Sequence, residues 1–377
     1  MQHNKVIKFI VQISFLLVFA SFFSACTHEK DAKPNPSEDV EKQNDPPSKP
    51  VHAWKLPIEI PEGEFYKIGG WLTDHELLYI TNIEQSSSVY FYDLLTGKSE
   101  LLYGSEAPIV NVQISPSKKN ILIQTSPSTY EGQVIIVTSD GSEIIKKSIP
   151  SYELGFEWNQ FNESQILISS FNEDWTFQML LLDIELNKIS DLSIPQPFVK
   201  WINKEEVAFL NWDETSPALF APLVRKHLGT DGEEEILAEV LQFSNYQNIL
   251  MAVSVKDKEK LQATYTFYDK EKTPLNSFSI PHLSIFSGWL IPFYDFNEST
   301  GKFITLKPLK SAEADAYSEG FELISYDIHK DKSNLILQGL KNEPLLLSPS
   351  GEAALYGNRY EQIIDLTKKV IYQFVKK

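Results

Sequence analysis

Seven times along the chain a short apolar run closes on a bulky residue and a turn. These residues are Trp71, Ile114, Trp158, Trp201, Phe243, Trp289 and Leu347, at intervals of 42 to 46 residues with a final interval of 58. A period near 43 residues constrains the fold more than any single motif does. Each unit of that length is too small to hide its apolar faces alone and must stack on the next.

Within one unit the pattern is strand-like. Ile109 to Ile114, Asn120 to Gln124, Gln133 to Val137 and Glu143 to Lys147 alternate apolar with polar residues. They are separated by turn residues such as Ser115-Pro116-Ser117-Lys118 and Ser139-Asp140-Gly141, whose types set the required backbone angles. A second register keeps the same period. Asp93, Asp183, Asp269, Asp327 and Asp365 each end a third strand and are expected to cap the following hairpin turn. No segment sustains a 3.6-residue apolar period, so helix content should be minimal. Four strands per unit and seven units predict an all-β chain forming a single β-propeller of seven four-stranded blades, with six blades as the alternative. Trp54 to Ile60 is a spare strand, able to pair beside Val370 to Phe374 or to replace it; the sequence does not choose.

Ahead of the body, residues 1–25 read as a signal peptide: Lys5 and Lys8, then the apolar run Phe9 to Phe23, then Ser24-Ala25. Cys26 follows, the chain's single cysteine. Phe23-Ser24-Ala25-Cys26 resembles the lipobox of bacterial lipoproteins. That resemblance implies cleavage before Cys26, a diacylglycerol on its sulfur, and attachment to the outer face of the cell membrane. Acyl chains contribute about 0.8 kcal/mol per buried methylene, so two suffice for stable anchoring. Residues 26–52 are nearly devoid of apolar side chains and should form a disordered tether of roughly 25–30 Å r.m.s. span. Residues 53–377 form the propeller.

The net charge is −17, and removal of the leader deletes two lysines and no acid. Such a chain repels phosphate backbones, which argues against nucleic-acid partners. With Cys26 lipidated no thiol remains, which excludes disulfides, thiolate metal sites and cysteine nucleophiles. His-Glu-x-x-His and nucleophile-elbow patterns do not occur. Asp295, Asn297, Ser299 and Gly301 have calcium-loop spacing, but Thr300 replaces the required Gly and Leu306 the terminal Glu. No catalytic residue, metal ligand or cofactor is therefore assigned, and a monomer is expected.

Ser115-Pro116-Ser117-Lys118 and Ser348-Pro349-Ser350-Gly351 resemble the Ser-Pro-Asp-Gly turn of TolB-like and WD-type propeller repeats, and Asp93 to Lys98 resembles their outer hairpin. With the lipobox, the tether and the order of repeats, the whole chain is similar to the YqgU-type lipoproteins of Bacillus-like bacteria. The resemblance implies a six-bladed propeller of unassigned activity; the repeat count favours seven.

Loops between strands two and three, and those joining blades, should gather on one face, where function concentrates. They carry Tyr130 and Glu131, then Glu173, Asp174 and Trp175, then Trp212, Asp213 and Glu214, then Glu313, Asp315, Tyr317 and Glu319, and finally Asn358, Arg359 and Tyr360. Aromatic rings beside carboxylates suit a cation, a peptide amine or a sugar. The candidate ligand face is Tyr130, Asp174, Trp175, Trp212, Asp213, Tyr317, Arg359 and Tyr360. Pro217 to Glu235 reads either as a charged docking edge or as a solvated hairpin. The leading expectation is a non-enzymatic binding or scaffold module for a protein, peptide or cell-envelope ligand. The alternative is a glycan or peptide hydrolase or lyase using carboxylates such as Asp174 and Asp213 as acid and base. A folding or assembly factor for exported proteins is a third class.

Overall fold

Alternating strands that are apolar on both faces have one solution when each unit is a single sheet: the sheets stand side by side, and each buries its faces on two neighbours. The computed structural model describes residues 54–213, 218, 220–255, 261–285 and 288–376, and they follow this solution. The expected leader, Cys26 and the tether lie outside the described residues, as does Glu214.

Seven four-stranded antiparallel sheets occupy residues 64–105, 109–150, 153–192, 199–240, 242–281, 294–340 and 345–373, each with its strands in simple sequence order. We number them blades 1 to 7. Their first, innermost strands are Glu64–Trp71, Ile109–Ile114, Glu153–Trp158, Val199–Trp201, Gln242–Asn245, Tyr294–Asn297 and Leu345–Leu347. Among the described residues the only helix is a 3-10 turn at Ala314–Ala316, and no helix is long and apolar enough to cross a membrane.

The core consists of seven apolar clusters, one at each interface. Ile80 and Ile123 join blades 1 and 2. Ile136 and Ile168 join blades 2 and 3, and Leu167 and Phe209 join 3 and 4. Leu223 and Leu250 join 4 and 5, Phe267 and Phe303 join 5 and 6, and Ile304 and Ala354 join 6 and 7. Ile68, Trp71, Leu355 and Ile363 then join 7 back to 1, closing the ring. Second strands are buried almost without interruption, as in Leu250–Ser254, because both of their faces meet a neighbour.

The repeat residues have the packing role expected of them at six positions. Trp71 donates its indole N–H to the Leu346 carbonyl of blade 7 at 3.1 Å. Trp201 donates to the Glu157 carbonyl of blade 3 at 3.2 Å. Trp289 is the exception. It lies on Gly288–Leu290, which pairs with Leu283–Ile285 in a hairpin inserted between blades 5 and 6. Ala312–Glu313 adds a parallel strand to that hairpin. The equivalent residue of blade 6 is Phe296, at the core of the 5–6 interface.

The five turn acids cap as expected. For example, Asp93 accepts the Leu95 N–H at 2.7 Å and Asp365 the Lys368 N–H at 2.8 Å. Both Ser-Pro turns share one geometry: Ser115 Oγ accepts the Asn120 N–H and Ser348 Oγ the Ala353 N–H, each at 3.2 Å. Their fourth residues, Lys118 and Gly351, have φ of 64° and 69°.

Blade 7 supplies all four of its own strands, so no strand is shared at the closure. Residues 54–60 form no strand at all. They run as a strap in which Lys55 N–H bonds the Leu94 carbonyl of blade 1 and Ile58 N–H bonds the Phe374 carbonyl after blade 7, both at 2.7 Å. The charged stretch before Glu235 resolves as a hairpin. Arg225 pairs with Glu234 at 2.6 Å and Lys226 with Glu233 at 3.8 Å, in strand register.

Candidate functional site

Loops between strands two and three leave blades 2 and 3 on the same side as the connections entering blades 3 and 4. In blade 3 this loop is a tight turn. Asn172 N–H bonds the Thr176 carbonyl at 2.8 Å, and Trp175 N–H bonds the Asn172 carbonyl at 3.0 Å. The geometry requires a left-handed residue in the fourth place, and Trp175 takes it at φ 66°. Glycine adopts that conformation without steric cost; a tryptophan does not. The indole is 60% exposed.

Trp175 is one of a chain of rings. It meets Tyr152 edge-on at 6.3 Å and Phe171 at 5.9 Å, and Phe171 meets Phe198 at 5.9 Å. Phe198 is 77% exposed, on the connection from blade 3 to blade 4. Beyond it lies a groove of about 480 Å³ whose lining includes Phe156, Phe198, Leu210, Trp212 and Phe243. The groove also contains the Lys200–Glu157 ion pair, at 2.6 Å. Burial pushes the Glu157 carboxyl up, and Lys200 acts against that shift.

Carboxylates border the aromatic chain. Glu153, Glu173, Asp174 and Asp213 are exposed. Tyr130 donates its hydroxyl to Glu173 at 3.1 Å across blades 2 and 3. Asp174 accepts the Thr176 hydroxyl at 2.7 Å and the Thr176 N–H at 3.1 Å. Those bonds, the hydroxyl first, hold its carboxyl below the usual range. A general acid needs the opposite shift, so these bonds suit Asp174 to capping its turn and count against it as the acid of a carboxylate pair, not as the base.

Of the eight residues expected on the ligand face, Tyr130, Asp174, Trp175, Trp212 and Asp213 belong to this stretch of blades 2 to 4. Tyr317 is a strut in blade 6, accepting the Leu309 N–H at 2.8 Å and donating to the Gly320 carbonyl at 2.6 Å. The Arg359 guanidinium lies over the Phe65 ring at 5.6 Å, beside the strap. Tyr360 turns inward. Tyr152 and Phe198, absent from the expected face, complete it. Their signal was available, because both sit in blade-joining connections that share the face with the inner hairpin loops.

Tyr360 lines a second space, a cavity of about 710 Å³ bounded by the inner strands of blades 1, 2, 6 and 7. Asp295 is half-buried on its wall. One carboxylate oxygen accepts the Leu347 N–H at 2.6 Å and the other the Phe296 N–H at 2.8 Å. Asn297, its partner in the calcium-loop spacing, instead donates to the Pro349 carbonyl at 2.7 Å. Among the described residues no group of three or more His, Cys, Asp or Glu could hold a metal ion.

Burial pushes the Asp295 carboxyl up to about 6, against the pull of those two N–H groups. The folded chain therefore holds this proton more tightly than the unfolded chain does. Stability should fall as pH rises from about 4 through about 6, by roughly 3 kcal/mol at most. Urea unfolding between pH 4.5 and 7.5 checks this. Relief of the chain's net negative charge acts in the same direction, so the reading is the difference from Asp295→Asn, whose slope should be shallower. Equal slopes would remove Asp295 as the cause.

Four likenesses accompany this geometry. The model of the YqgU-like 6-bladed beta propeller domain family matches residues 93–357. That span contains blades 2 to 6 whole, one strand of blade 1 and two strands of blade 7, whereas the described residues form seven blades. The uncharacterized lipoprotein YqgU of Bacillus subtilis (strain 168) is 26% identical over 306 residues, covering 81% of this chain and 83% of its own length. The crystal structure of the uncharacterized protein lmo1340 from Listeria monocytogenes EGD-e superposes with a TM-score of 0.79 at 23% identity, covering 85% of this chain and 98% of its own. The propeller domain of the Trilobed protease from Pyrococcus furiosus, described as having an open velcro topology, gives 0.54 at 12% identity, covering 83% of this chain and 98% of its own. These two structures bear on the fold alone.

Proposed function

The chain belongs to the YqgU-like 6-bladed beta propeller domain family, and from that premise we propose that it is a lipid-anchored, extracytoplasmic binding module. Its ligand is a protein or peptide segment, held on the aromatic face of blades 2 to 4. The anchor is a diacylglycerol on Cys26; the Phe23-Ser24-Ala25-Cys26 sequence and the lipoprotein name of the Bacillus relative support it.

One observation carries the reading of the face: Trp175 is kept outward at a backbone angle that favours glycine. Strain retained at an exposed aromatic residue implies a use for that residue. Exposed rings beside a groove supply contact area with little side-chain entropy to lose. The carboxylate border and the net charge of −17 favour a basic segment, because complementary charge speeds encounter and excludes acidic competitors.

Binding of synthetic basic, neutral and acidic peptides of matched apolar content tests this. Basic peptides should bind, with affinity falling as salt rises. Trp175→Gly should weaken binding about tenfold or more while leaving the unfolding midpoint unchanged or higher, since the strain is relieved. Unaltered binding by both Trp175→Gly and Phe198→Ser, or equal binding of acidic peptides, would reject the proposal. Cys26→Ser should release the chain from the membrane fraction; retention there would reject the anchor.

A further inference from the structure

The central cavity is separate from the aromatic face, and its chemistry differs. About 710 Å³ is the size of a small-molecule pocket. Tyr360 bounds it on the side of the inner hairpin loops, held at φ 52°. The Ser115-Pro116 and Ser348-Pro349 turns bound it on the other side. The inner strand of blade 1 leaves room there through Gly70, at φ 140°. A Cβ at that position would project between Ile114 and Leu346, 3.3 and 3.8 Å from their side chains.

Two charges of opposite sign face this space from blades that are not neighbours. Lys67, on blade 1, has its ammonium 5.7 Å from the centre of the Tyr360 ring. Among the described residues no carboxylate stands within ion-pair distance of it. Asp295, on blade 6, spends one lone pair of each oxygen on a backbone N–H, which leaves the others for a further donor. Glu298, also on the wall, is engaged with blade 5, accepting the Gln247 N–H at 3.0 Å and the Asn248 amide. Lys118 lies at the Ser-Pro turn, where burial lowers its affinity for a proton and Asp74 opposes that shift. Asn111 and Gln113 share one face of the inner strand of blade 2 and also line the cavity. Neither amide has a hydrogen-bond partner among the described side chains and backbone.

We propose that this cavity is a second binding site, for a small zwitterion of the α-amino acid type, with its carboxylate toward Lys67 and its ammonium toward Asp295. Asn111 and Gln113 supply both donors and acceptors to the ligand between them. A simple anion would meet Asp295 and a simple cation would meet Lys67. A neutral polyol would compensate neither charge. Only a molecule carrying both charges and no net charge satisfies the two walls together.

The test is calorimetric titration of the full chain with glycine, L-alanine and D-alanine at millimolar concentration, against ethylamine, acetate and glucose as controls. At least one zwitterion should bind, with each control weaker by about tenfold or more. Lys67→Met and Gln113→Leu should each weaken that binding about tenfold with an unchanged circular dichroism spectrum. They keep the test decisive if Asp295→Asn fails to fold. Three results would overturn the proposal: no zwitterion binds, a singly charged control or glucose binds as well, or Lys67→Met binds like the parent. None of them touches the aromatic face, which Trp175→Gly tests separately.

Discussion

Trp201→Ala should destabilise the chain by about 3–5 kcal/mol, the range for truncating a buried large aromatic residue. Trp201 has no exposed surface and sits in the 3–4 interface with Leu167, Val207 and Phe209. Truncation removes its contacts with two sheets at once and leaves a void that neither sheet can close without moving the other. It also removes the donor to the Glu157 carbonyl, at 3.2 Å, in a setting where an unmet acceptor costs about 1–3 kcal/mol. Trp201→Phe separates the two parts, since it retains most of the packing and loses only the hydrogen bond. Urea unfolding is the measurement. Trp175→Ala on the exposed face is the contrast, expected to change stability by about 1 kcal/mol or less. Comparable losses for the two tryptophans would contradict the division between packing and presented residues.

Phe374→Ala should cost about 3–5 kcal/mol for a different reason. Phe374 follows the last strand, is fully buried, and belongs to the cluster that joins blade 7 to blade 1. Its carbonyl also accepts the Ile58 N–H of the strap at 2.7 Å. Because blade 1 and blade 7 share no strand, side chains and this strap carry much of the closure. Loosening it should expose blade 1 to protease before the rest of the body. Limited proteolysis with mass mapping reads this; uniform loss of all blades, or no change, would contradict it.

The ring was legible in the sequence because every blade solves the same problem with the same length of chain. Seven apolar runs at a near-constant interval already imply seven interfaces. The sixth marker failed for an identifiable reason: Gly288–Leu290 has the same local pattern as an inner strand but belongs to an inserted hairpin, so periodicity alone could not exclude Trp289. The strap was undecidable because residues 54–60 alternate like a strand yet pair with no strand ladder. They take up single carbonyls from two blades instead.

The candidate face was half legible. Tyr130, Trp175 and Trp212 stand out as loop aromatics, and the same reasoning applied to blade-joining connections reaches Tyr152 and Phe198. What no pattern encodes is the direction in which a loop residue points. Tyr317, Arg359 and Tyr360 have the same composition and loop type as Trp175, yet one braces a loop, one covers Phe65 and one turns into the cavity. Asp295 shows the same limit. Its calcium-loop spacing with Asn297 already failed at Thr300 and Leu306, and no pattern shows that strand pairing directs it to the cavity wall.

Both proposed sites depend on one claim: blade 7 packs directly on blade 1 and closes the ring. Bonds that cross that seam besides the strap include Ile68 N–H to the Arg359 carbonyl at 3.0 Å, the Trp71 indole N–H to the Leu346 carbonyl at 3.1 Å, and Ser350 N–H to Asp74 at 2.8 Å. Residue-resolved amide hydrogen exchange on the Ile68 and Ser350 N–H groups measures the seam itself. Protection approaching that of the core strands, lost in Phe374→Ala, is the expected result; exchange at the rate of an open chain would contradict the closed ring.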